Sequence, residues 1–275
     1  GFFGSGKSHF MKMLAYILQN DTIGGKKPIE YFEDKITDNF TLADMKAATD
    51  IDTKVILFDI DQASDADARN SQEMLVKVFN RKFNEMQGFS ESMPWLADLE
   101  RQMVAKGNYE QFKEKYEEIS GTPWEEGRND DFFGEDNFVE TAKAVLGMSE
   151  EAARNLYQNK ADQYSLTVED FAVRVREYIE SQGKNFNLVF MVDEVGQYIG
   201  QSSELILNLQ SIVQCLGTEC SGHAWVVVTS QEAIDSVAKN LKANDFSKVT
   251  ARFPVRLSMS AINQKEIAAQ ERSRY

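Results

Sequence analysis

Gly1-Phe2-Phe3-Gly4-Ser5-Gly6-Lys7-Ser8 fits the pattern G-x-x-x-x-G-K-[ST] and runs directly into the apolar-periodic segment His9 to Gln19. The spacing is that of a phosphate-cradling loop followed by a helix. Glycine at positions 4 and 6 lets backbone N–H groups turn inward around an anion, where a Cβ would obstruct the approach. In this pattern Lys7 reaches the β- and γ-phosphates of a nucleoside triphosphate, and the Ser8 hydroxyl ligates Mg²⁺. Gly1, Gly4, Ser5, Gly6, Lys7 and Ser8 are therefore the candidate nucleotide-binding residues. The helix is expected to carry Phe10, Met13, Leu14, Ile17 and Leu18 on one face and to aim its positive end at the phosphates. A loop of this kind follows a buried strand, and no strand precedes Gly1. The chain therefore reads as a piece of a longer protein, expected to bind ATP weakly and to be inactive by itself.

Leu188-Val189-Phe190-Met191-Val192 reads as a buried strand ending at Asp193-Glu194. An apolar strand closed by two carboxylates is the Walker B arrangement of P-loop ATPases that carry an added catalytic glutamate. Asp193 is the expected magnesium residue, and Glu194 the group that orients and deprotonates the attacking water. Trp225-Val226-Val227-Val228-Thr229-Ser230-Gln231 is a further apolar strand with a polar end. A side chain there can reach a γ-phosphate or the lytic water, and Gln231 is the candidate, with Thr229 and Ser230 as alternatives. Arg252, between a helical segment and Pro254, stands where oligomeric ATPases place an arginine finger that reaches a neighbouring subunit.

The chain has 275 residues, 42% of them hydrophobic, enough for a sizeable core with a smaller helical lobe. Its formal net charge of −14 excludes a surface that grips nucleic acid backbones without sequence preference. No apolar run reaches the length of a membrane span and no cationic signal-peptide start is present, so the expected location is the cytoplasm. Cys215 and Cys220 have no zinc-type spacing to histidine or cysteine and read as reduced residues. The acidic stretch from Glu125 to Asp136, broken by Gly127 and Gly134, reads as a solvated loop.

The expected fold is α/β, with parallel strands at Lys54–Asp61, Leu188–Val192, Trp225–Val228 and Val255–Ser258. These are the second to fifth strands of a sheet ordered fifth, first, fourth, third, second, with the first strand missing. Between about Ala68 and Gln182 the pattern is helical, with apolar faces such as Leu75-Val78-Phe79-Phe83, Tyr109-Phe112-Tyr116 and Phe171-Val175-Ile179. The division is therefore 1–61, first part of the P-loop core; 62–184, helical insertion; 185–275, second part of the core.

The Gly1 to Phe10 start, Val192-Asp193-Glu194, Val226 to Glu232, and the stretch from Phe246-Ser247-Lys248-Val249 through Arg252-Phe253 to Ser260 together resemble one family. It is the large P-loop ATPase family of bacterial BREX phage-defence systems, BrxC/PglY. The ATPase motifs are shared across the AAA+ superfamily; the wording around Gln231 and Phe246 to Met259 points to this family. The resemblance implies an AAA+-like ATPase that uses ATP and Mg²⁺. It also implies a homo-oligomer working with other defence proteins, including a DNA methyltransferase, and contacting DNA only indirectly or through parts outside this chain. Two other readings stay open: a nucleotide-gated scaffold with little or no hydrolysis, and a replication initiator or loader, which would need a basic DNA-binding part.

Overall fold

The computed structural model describes residues 6–60, 74–128, 134–195, 203–230 and 251–257. In chain order the elements are α1 (Lys7–Gln19), a 3-10 turn (Pro28–Tyr31), α2 (Asn39–Thr49), β1 (Asp52–Asp59), α3 (Met74–Met86), α4 (Pro94–Lys106), α5 (Tyr109–Ser120), α6 (Trp124–Gly127), α7 (Gly134–Leu146), α8 (Glu150–Gln163), α9 (Val168–Gln182), β2 (Phe186–Asp193), α10 (Ser203–Glu219) and β3 (Ala224–Val228). They divide into two compact units, one of Gly1–Val78 with Thr167–Tyr275 and one of Phe79–Leu166.

In the first unit the three strands are parallel and lie in the order β1-β2-β3. Pairing runs from Asp52↔Phe186 to Asp59↔Asp193 and from Leu188↔Ala224 to Val192↔Val228. The expected order likewise has its second, third and fourth strands side by side. Strands this apolar need cover on both faces. On one face Val55, Leu57, Val189, Met191 and Val227 pack with Met11, Leu14, Ala15 and Leu18 of α1. On the other, the Phe190 ring lies 5.9 Å from that of Phe171 in α9, and α10 packs on α9 and β3. The stripe of α1 that meets the sheet is centred on Met11 and Ala15. Phe10, expected on the buried face, is 41% exposed.

After α1 the chain makes a tight reversal. Ile23 and Lys26 exchange backbone hydrogen bonds at 2.9 and 3.1 Å. Gly24 and Gly25 between them have φ of 59° and 84°, which side-chain-bearing residues resist.

The second unit is a helical bundle around Trp95, Phe112, Tyr116, Trp124 and Phe138, with the Phe112 and Tyr116 rings 5.1 and 4.9 Å from Trp124. Buried Glu100 organises it. One carboxylate oxygen accepts from Tyr109 Oη at 2.9 Å, Trp124 Nε1 at 2.7 Å and Arg128 Nη1 at 2.6 Å, and the other accepts from the Ser90 amide at 2.6 Å. Trp124 and Gly127 are buried within α6, so the acidic stretch expected as a solvated loop begins with an anchored helical turn. The unit's bounds, 79–166, are narrower than the 62–184 insertion expected from periodicity, because α9 packs on β2.

The fifth strand expected at Val255–Ser258 does not form over residues 255–257, which have no regular structure; Ser258 lies outside the described residues. Val255 and Leu257 are 82% and 78% exposed. A strand needs a ladder partner, and residues 255–257 pair with no strand among the described residues. Pro254 further removes one donor.

Candidate functional site

Two side chains fix the end of α1, one to the middle of β1 and one to the last residue of α2. Gln19 Oε1 accepts the Val55 amide at 2.9 Å, and Asn20 Nδ2 donates to the Thr49 carbonyl at 3.1 Å. Met11, Leu14, Ala15 and Leu18 pack with Val55, Leu57, Val189, Met191 and Val227, so α1, tied at its end to Thr49 and Val55, lies along this face with its first turn pointed toward the strands' carboxyl ends.

Gly6 caps this helix with φ 79° and ψ 6°, a left-handed conformation suited to glycine. Gly6 supplies no side-chain cap and no acidic residue lies in the first turn, so the positive end of the dipole has no carboxylate of its own helix to neutralise it.

At the strands' carboxyl ends, alternation and register set a row of polar residues. Val55, Leu57, Val189, Met191 and Val227 face α1, so two residues on from each strand's last member the same face presents Asp59, Asp193 and Thr229. Asp59 and Asp193 are direct register partners. The Thr229 hydroxyl donates a hydrogen bond to Asp193 Oδ1. The Glu194 amide reaches Asp193 Oδ1 at 3.0 Å and Thr229 Oγ1 at 3.1 Å. Beyond the strands the ladder continues, with Thr229 N–H on the Val192 carbonyl and Val195 N–H on the Thr229 carbonyl, both at 3.0 Å. Val195 is buried, and Glu194 between these anchors has φ 60°. A left-handed non-glycine residue costs conformational energy and persists where its surroundings hold it.

The structure therefore joins Asp193, Glu194 and Thr229, and α1, which begins at Lys7, packs on a face of the same sheet. Arg252 sits in a helical turn over residues 251–252 and is exposed. Gly1, Gly4, Ser5 and Gln231 lie outside the described residues. Asp59 was given no role by the sequence, although it closes β1 as Asp193 closes β2. The sequence left Thr229 as one of three polar residues at a strand end; register singles it out by setting it beside Asp193. Among the described residues, the buried Ser230 Oγ has no hydrogen-bond partner.

No group of three or more His, Cys, Asp or Glu placed to hold a metal ion is found among the described residues. Magnesium held on a nucleotide takes most of its ligands from phosphate oxygens and water, so one hydroxyl and one carboxylate fit that need. Both cysteines are free thiols, and burial foremost pushes Cys220 up to about 12, away from reactivity. No helix of the described residues is long and apolar enough to cross a membrane. No family model matches the chain, and no solved structure matches it.

Proposed function

We propose that the protein binds ATP with Mg²⁺ at the carboxyl edge of the sheet and hydrolyses it, as an AAA+-like P-loop ATPase. The observation that supports this reading is that α1, which opens at Gly6-Lys7-Ser8, packs on a face of the sheet whose second strand ends at Asp193-Glu194. Lys7 and the α1 N-terminus hold the phosphates, while Ser8 and Asp193 hold magnesium. Magnesium, when bound, neutralises phosphate charge and polarises the transferred group. Glu194 takes the proton of the attacking water, and its held backbone keeps that carboxylate from relaxing into solvent.

The wider reading rests on the family resemblance. It places the protein in the cytoplasm as part of a homo-oligomeric BREX defence ATPase, with a DNA methyltransferase among its partners. The second and third strand ends supply the chemistry, and Arg252 serves a neighbouring subunit.

The test is ATP turnover by the whole protein, with and without DNA. Glu194→Gln should keep ATP binding and lower turnover by roughly 10²- to 10⁴-fold, whereas Lys7→Ala should lose binding. Absence of turnover in the wild type, or full turnover in Glu194→Gln, would overturn the reading.

A further inference from the structure

We propose that Thr229 is the positioning residue of this site, acting on the Asp193-Glu194 pair through its hydroxyl and not on the nucleotide. The inference rests on the ATPase reading above. One hydroxyl makes two bonds of opposite sense, donating to Asp193 Oδ1 and accepting the Glu194 N–H. The donated bond fixes the rotation of the carboxylate, leaving its other oxygen as the one to face a cation. The accepted bond, with Val195 N–H on the Thr229 carbonyl, holds the peptide on both sides of the left-handed Glu194. Without the hydroxyl, Glu194 has one fewer restraint against returning to a right-handed conformation, which would redirect its side chain. Serine keeps both bonds; valine keeps the shape and loses both. Groups that orient a metal-binding carboxylate in this way typically contribute about 10- to 100-fold to affinity or activity.

Thr229→Val and Thr229→Ser are compared with wild type in three measurements: ATP turnover, ATP affinity, and amide hydrogen exchange at Glu194 and Val195. Thr229→Val should lower kcat by about 10- to 100-fold with ATP affinity nearly unchanged, and exchange at Glu194 should speed up. Thr229→Ser should restore both. In a Glu194→Gln background Thr229→Val should cost less than it does in the wild type, because the part of its effect that runs through the Glu194 carboxylate is already gone. Three results overturn the proposal while leaving the ATPase reading intact: wild-type kcat in Thr229→Val, unchanged exchange at Glu194, or a loss confined to ATP affinity, which would put the hydroxyl on the nucleotide. A wild type with no turnover defeats the ATPase reading itself, and the positioning role with it.

Discussion

Glu100 has no exposed surface, and four donors converge on its two oxygens. A buried carboxylate is tolerated only when its lone pairs and charge are answered, and here Arg128 answers the charge. Glu100→Gln keeps the size but removes the charge that Arg128 faces, and it sets an NH₂ group against existing donors. The expected loss is about 3–5 kcal/mol, read as a fall in the urea midpoint of the helical unit, with ATP affinity of the whole protein unaffected. Nothing in the sequence marked Glu100, since a single glutamate in an amphipathic helix looks like a surface charge until its tertiary donors are placed. Lys7, Asp193 and Glu194 were legible because each is fixed by its neighbours in sequence: glycines before a lysine, an apolar run before two acids. Thr229 was only half legible. Its role depends on which strand lies beside β2 and in what register, which local pattern does not encode.

At the scale of elements, α9 begins with a reciprocal capping box: the Thr167 hydroxyl accepts the Asp170 amide at 3.0 Å, and Asp170 Oδ2 accepts the Thr167 amide at 3.2 Å. The Thr167 hydroxyl first, then its amide, holds the Asp170 carboxyl below the usual aspartate range. A depressed folded-state pKa contributes stability above the ordinary aspartate value and loses it as pH falls through the folded one. Asp170→Asn should therefore be less stable than wild type near neutrality, and the gap should close as the solution is acidified below the aspartate range. Thr167→Ala should lose about 1 kcal/mol, and both are checked by thermal melts across pH. The strands were legible for the reason that makes them central, an unbroken apolar run too short for a helix. Their limits were less so: β1 runs Asp52–Asp59 against an expectation of Lys54–Asp61. Helix α2 was not foreseen, and none of its residues is buried. Without a buried stripe it leaves no periodic trace, and only its cap shows, Asp38 accepting the Thr41 amide at 2.9 Å. Residues 255–257 misled in the opposite way, since alternating apolar residues specify a strand only where it is paired, and these pair with no strand among the described residues.

At the scale of the whole molecule, the chain interrupts an α/β unit with a helical one that owns its core and its buried ion pair. Periodicity alone could not separate α9 from the insertion, because a helix that covers a sheet and a helix in a bundle bury the same kind of stripe. The α/β unit holds the acidic end of the proposed ATPase site, and Arg252 is exposed beyond β3. An exposed arginine paired to a surface carboxylate has little effect on stability, whereas one that reaches a neighbouring subunit's γ-phosphate acts on transition-state charge. The two roles differ in what Arg252→Ala removes. In the whole protein the substitution should leave ATP binding and melting temperature nearly unchanged and reduce turnover by roughly 10³-fold or more. Subunits with Arg252→Ala and an intact Glu194 are then mixed with subunits that carry Glu194→Gln and keep Arg252. Each parent is inactive for a different reason, so a mixed interface joins one working glutamate to one working arginine, and part of the activity should return as mixed oligomers form. Mixed oligomers confirmed by mass that stay inactive would assign Arg252 to the surface of its own subunit.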